Sequence, residues 1–119
     1  MNILSLNCRG CGRSETVQEI CNLVQLHRPG LVFLSETKLS ATRAQEMRFW
    51  LGFRHGFGVS SEGLSGGLVL FWNSDSVVSL KSYSRTHIDV FVQNDATGSR
   101  EWRFTGFYGD PRRSRRKMS

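Results

Sequence analysis

Two unbroken apolar runs constrain this chain more than any other feature. Residues 31–34 read LVFL and residues 68–72 read LVLFW. Neither alternates with polar residues, so a strand built from either needs cover on both faces. Both fall far short of the roughly 20 apolar residues that cross a bilayer as a helix, so no membrane association is expected. With 119 residues the chain has room for one domain with a real core. Apolar residues at 39% and charged residues at 22% fit globular material.

The first run is preceded by a recognisable unit. Residues 2–7 read as a short strand carrying Ile3, Leu4 and Leu6, and CRGCGRS after it reads as a turn. Val17, Ile20, Cys21 and Val24 then recur at helical spacing, with Ser14 as the expected N-cap and Glu15 in the first turn. Arg28-Pro29-Gly30 ends that helix. Strand, helix and buried strand make a βαβ unit with parallel strands. Ligands of such sheets bind beyond the carboxyl ends of the strands, which places Asn7 and Glu36 on one rim.

A second helix is expected over 42–51, with Thr42 and Gln45 spaced as a capping box and Gly52 closing it. Segments 56–59, 67–72, 77–83, 88–93 and 102–108 read as strands separated by the turn-rich stretches SSEGLSGG, NSDS and NDATGSR. The last three pair as an antiparallel meander. The expected architecture is α/β: one mixed sheet with two helices on one face. That leaves the second face of both apolar runs uncovered, and the cover has to come from self-association or from the rest of a larger two-sheet domain.

Charge is unevenly placed. Five of the 16 basic residues, Arg112, Arg113, Arg115, Arg116 and Lys117, lie in the last nine positions, where no acid occurs. Residues 1–110 carry a net charge of only +1 out of the total of +6. The division is therefore a domain over 1–110 and a basic tail over 111–119, suited to a polyanion such as nucleic acid. The start has no basic leader ahead of a long apolar stretch, and three cysteines is an odd count for a disulfide scaffold. Both features point to an intracellular protein, with the nucleus open.

Glu36 is the leading chemical candidate. A carboxylate that follows a wholly apolar strand needs a metal, a cation or water, and Mg²⁺ is often held by only one or two carboxylates. Asn7 on the companion strand end could orient a phosphate or a metal-bound water. Tyr108, at a strand end, could set its hydroxyl against a phosphate. Cys8 and Cys11 form a CxxC pair with no second pair to complete a zinc site, and are expected as reduced thiols. His27, His55 and His87 are scattered and form no serine-triad signature. Gly66-Gly67 lacks the lysine of a P-loop and marks a tight turn into a strand.

Four stretches in order, NILSLNCRG, LVFLSETKL, SGGLVLFW and FTGFYGDPRRSRR, resemble the endonuclease/exonuclease/phosphatase superfamily. They most resemble the endonuclease domain of plant LINE-type (non-LTR) retrotransposons. The resemblance implies the N-terminal half of a two-sheet α/β sandwich that cuts phosphodiester bonds with Mg²⁺ or Mn²⁺. By resemblance Asn7 is the first-strand active-site Asn, Glu36 the metal-binding Glu, with Asn7 beside it as a second ligand, and Tyr108 the phosphate-contacting Tyr. The family's second half carries a Gly-Asp-Phe-Asn strand end, a further acid and a Ser-Asp-His motif, none of which occurs in residues 1–119. Arg9 stands where the repair-type branch has an acid, a change that repels a metal but welcomes phosphate.

The functional expectation is therefore a truncated metal-dependent nuclease domain, inactive alone. Its partner would be nucleic acid, DNA before RNA, held by Arg9, Arg112, Arg113, Arg115 and Arg116. The second half of the domain, or a self-associating sheet face, would be a further partner. The competing reading is a non-catalytic retroelement relic or interaction module that only binds nucleic acid.

Overall fold

The computed structural model describes residues 2–63, 65–73, 76–93 and 101–109. In chain order these form β1 (Ile3–Asn7), α1 (Ser14–His27), β2 (Leu31–Ser35), α2 (Ala41–Leu51), β3 (His55–Val59), β4 (Leu68–Trp72), β5 (Val77–Tyr83), β6 (His87–Gln93) and β7 (Glu101–Phe107). The domain boundary expected at residue 110 and the tail over 111–119 lie outside the described residues.

Both expected helices form, but their starts differ from expectation. In α1 the N-cap is Arg13, with no side-chain cap bond, and Ser14 is already helical. In α2 the cap is Ser40, whose Oγ accepts from the Arg43 N–H at 3.2 Å, two residues ahead of the Thr42–Gln45 pair. Ser40 has extended backbone geometry, which leaves its hydroxyl free to reach forward to the N3 amide. Gly52 closes α2 as expected.

Strands β1–β4 form a mixed sheet in the order β1-β2-β4-β3. β1 and β2 are parallel, while β4 is antiparallel to both β2 and β3. The two apolar runs take the central places, and every residue of β2 is buried. Val32, Leu34, Val69 and Phe71 pack toward the helices against Ile20, Ala44, Met47 and Leu51. Leu31, Phe33, Leu68 and Leu70 point to the opposite face.

That opposite face is covered from within the chain. The meander does not extend the mixed sheet. Among the described residues β5–β7 pair only with one another, in the order β5-β6-β7, and pack across the first sheet. The fold is thus an α/β arrangement of two sheets, with both helices on the outer face of the mixed one. The separation follows from β6, where Ile88, Val90 and Val92 form a single apolar face. That face gains more by covering Leu31, Phe33, Leu68 and Leu70 than by lengthening a sheet edge, since each fully buried aliphatic side chain is worth about 1.5–3 kcal/mol. Phe33 meets Phe104 edge-on, with ring centroids 6.0 Å apart. Gly106 permits the closest approach, because a Cβ there would lie 2.5 Å from the Phe33 ring.

Candidate active site

The carboxyl ends of β1 and β2 lie side by side. Asn7 pairs in register with Ser35, and Glu36 is the next residue. The loops that leave these ends are laced together through their backbones. Cys8 N–H donates to Ser35 C=O at 2.9 Å, Gly10 to Glu36 at 2.8 Å and Cys11 to Thr37 at 2.8 Å. A third loop joins from the start of β4, where Gly67 and Gly66 carbonyls accept from Thr37 and Lys38 at 3.1 and 2.9 Å. Gly67 is required here: its φ is +94°, and a Cβ would fall 2.3 Å from Thr37 Oγ1.

Three non-glycine residues on this rim hold left-handed backbone, Arg9 (φ 53°), Glu36 (φ 54°) and Lys38 (φ 59°). Each such conformation costs on the order of 1–2 kcal/mol and persists only where neighbouring bonds fix it. The rim that sequence reasoning marked is therefore also where backbone strain gathers.

Asn7 is exposed and its Oδ1 accepts the Arg9 N–H at 3.1 Å, so the loop turns on its own side chain. An amide oxygen has a second lone pair, and the amide nitrogen keeps two donors. Glu36 is half-buried. Its charge is felt by Cys8, whose thiol is pushed up first by its hydrogen bond to Cys11, then by burial and by the charges of Cys11 and Glu36. The same bond pulls Cys11 down. Both are free cysteines.

Tyr108 is half-buried, and its N–H donates to Thr86 C=O at 2.6 Å. It borders a cleft of about 280 Å³ lined also by Ser60, Glu62, Ser65, Gly66, Arg85 and Thr86. Gly66 is the residue tied to Lys38, so this cleft adjoins the Glu36 loop. Asn7 and Glu36 do not line it. The structure thus brings Asn7 and Glu36 onto one rim and places Tyr108 on a cleft beside that rim. Arg9 is exposed on the rim, whereas Arg112, Arg113, Arg115 and Arg116 lie outside the described residues.

Sequence reasoning missed Lys38, Ser60, Glu62, Arg85 and Thr86. Glu62 and Arg85 form an ion pair across 23 residues of sequence, from two polar turns with no local pattern linking them. It also missed Asp89, buried on the outer face of the meander. Asp89 takes hydrogen bonds from Arg103 (Nε 2.9 Å, Nη2 2.5 Å) and Thr105 Oγ1 (3.0 Å). Arg103, followed by Thr105, then lowers the Asp89 carboxyl to about 2 against the cost of its burial.

Among the described residues no three His, Cys, Asp or Glu side chains gather into a metal cluster. The rim offers a carboxylate and an amide oxygen, hard donors of the kind Mg²⁺ accepts when water completes its shell. Among the described residues no helix is long and apolar enough to cross a membrane.

No family model matches the chain, and no curated protein matches it. Solved structures do. The endonuclease domain of TRAS1, a telomere-specific non-LTR retrotransposon, superposes with a TM-score of 0.61 at 15% identity, covering 98% of this chain and 54% of that one. The 3′ phosphatase NExo from Neisseria, bound to product DNA hairpin, gives 0.64 at 16% identity, covering 99% and 48%. AP endonuclease LMAP from Leishmania major gives 0.63 at 14% identity, covering 89% and 39%. The chain spans about half, or less, of the length of these structures. At such identities the likeness is one of fold, shared with an endonuclease domain, a 3′ phosphatase and an AP endonuclease, the kind of protein the sequence motifs resemble.

Proposed function

We propose that residues 1–119 carry the first half of a metal-dependent phosphodiesterase site acting on nucleic acid, DNA before RNA, and that alone they bind without turning over. The observation that carries this reading is the placement of Asn7 and Glu36 at the ends of two neighbouring parallel strands, on a nuclease-type fold. The DNA hairpin on the similar 3′ phosphatase supports the substrate class. An intracellular location, the nucleus included, belongs to the same reading.

Glu36 and the Asn7 amide oxygen would hold Mg²⁺ or Mn²⁺, which when bound supplies charge stabilisation at phosphoryl oxygens. The Asn7 amide N–H groups orient a phosphate oxygen, and the Tyr108 hydroxyl donates to another. Arg9 and the Arg112, Arg113, Arg115 and Arg116 group neutralise the flanking backbone. Residues 1–119 carry no match to the family's Gly-Asp-Phe-Asn and Ser-Asp-His motifs, from which a base for the attacking water would come. His87 is held between the hydroxyls of Ser82 (3.0 Å) and Ser84 (2.6 Å) at the β5–β6 turn. Positioned proton transfer is commonly worth about 10²–10⁴-fold in rate.

The test is plasmid nicking with Mg²⁺ or Mn²⁺ beside filter binding across a salt series. The expected result is no nicking, and binding whose log–log salt slope is roughly −3 to −4 if about four tail cations contact phosphates. Nicking that Glu36→Gln abolishes overturns the inactivity. An unchanged slope after deletion of residues 111–119 removes the tail from the contact. A purely non-catalytic binding module is the second reading, favoured because no group of three His, Cys, Asp or Glu side chains gathers among the described residues. Metal-independent nucleic-acid affinity in Glu36→Gln supports it.

A further inference from the structure

The cleft beside Tyr108 combines one guanidinium with four hydroxyls, those of Ser60, Ser65, Thr86 and Tyr108. Its cation, Arg85, is paired with Glu62, which lines the same cleft. Both partners are exposed, with side chains 71% and 64% accessible, so solvent screens their attraction and the pair adds little to folding. Its position is nevertheless built. Glu62 and Ser65 exchange backbone hydrogen bonds at 2.9 and 3.1 Å, fixing the turn that presents the carboxylate. Arg85 sits in a turn closed by Ser84 N–H to His87 C=O at 2.9 Å and anchored to the end of β7 through Tyr108 and Thr86. Ser60 Oγ accepts the Ala41 N–H at 2.8 Å, so its own proton is available to a ligand.

A guanidinium fork matches a carboxylate and a phosphate with the same planar donor geometry. A phosphate group entering this cleft therefore competes with Glu62 for Arg85. We propose that the cleft is a phosphodiester subsite for a nucleic-acid strand, and that Glu62 is its built-in competitor. Glu62 sets the affinity: a ligand must displace one carboxylate before it gains one cation. A strand does so because its other phosphates are held elsewhere on the rim, while a lone small anion has no such support. This inference rests on the nucleic-acid reading above and adds to it the residue that tunes binding.

The experiment measures anisotropy of a labelled oligonucleotide duplex against wild type, Glu62→Gln, Arg85→Ala and the double variant across a salt series, with far-UV circular dichroism to verify folding. Losing the competitor should tighten binding about two- to fivefold in Glu62→Gln, the range an exposed ion pair spans. Arg85→Ala should weaken binding and make the salt slope shallower by about 0.9, one phosphate contact. With Arg85 absent, Glu62→Gln should change nothing further. Inorganic phosphate is titrated in parallel and should compete only weakly. Binding unmoved by either substitution, or an equal Glu62→Gln effect with and without Arg85, overturns this subsite and leaves the nucleic-acid reading standing. No binding by any variant overturns both. Inorganic phosphate saturating the cleft with the Glu62 dependence that the duplex lacks overturns the strand as its ligand.

Discussion

The two sheets solve the same problem in opposite ways. In the mixed sheet the central strands β2 and β4 are covered on both sides, by helices and by the meander, and their sequences are apolar but for Ser35 at the end of β2. Among the described residues only one face of the meander is covered, and β6 alternates so that Ile88, Val90 and Val92 go inward while Asp89 goes out. Yet Asp89 is itself buried, beneath Arg103 and Thr105. An outer face can thus bury a charge when the next strand supplies a bidentate partner, whereas a two-sided strand has no place for one. Substitutions on either side of the interface between the sheets sharpen this contrast.

The largest effect belongs to the mixed sheet. Phe33→Ala empties the contact with Phe104 and Gly106 and should cost about 3–5 kcal/mol, read as a lower midpoint in urea. A loss below one kilocalorie would mean that the meander does not depend on this face. Approached from the other sheet, Gly106→Ala forces a methyl group against the Phe33 ring and should cost about 1–3 kcal/mol. Adding Phe33→Leu to that variant should restore part of the loss, because the two positions share one contact. Strictly additive losses would separate them.

The smallest effect lies on the outer face and depends on pH. Asp89 titrates near 2 in the folded chain, below the unfolded value of about 3.9. Its contribution is therefore present above about pH 4 and disappears as pH falls through 2. Thermal midpoints of wild type and Asp89→Asn should differ at pH 7 and converge near pH 2. A constant gap across that window would detach the stabilisation from the Asp89 charge.

The βαβ unit was legible because periodicity and punctuation are local. Val17, Ile20, Cys21 and Val24 mark one helical stripe, and Asn7 and Glu36 follow apolar strands. The separation of the meander was not legible, since the choice between extending a sheet and covering one depends on contacts far apart in sequence, such as Phe33 with Phe104. Helix caps were misplaced by a residue or two for a related reason: Ser40 and Thr42 are equivalent chemically, and only the backbone decides between them. The rim showed in the sequence but the cleft did not. Glu62 and Arg85 look like ordinary turn charges until folding brings them together.

The backbone lacing of the three loops has an entropic consequence. Cys8, Gly10, Cys11, Thr37 and Lys38 all donate across loop boundaries, so the strained positions of Arg9, Glu36 and Lys38 are already set in the absence of a ligand. A ligand arriving at this rim has no loop to order, and its binding free energy carries no deduction for freezing main chain there. The cost was met during folding, which leaves side-chain rotamers as the main freedom that binding at positions 7, 9, 36 and 38 still has to quench.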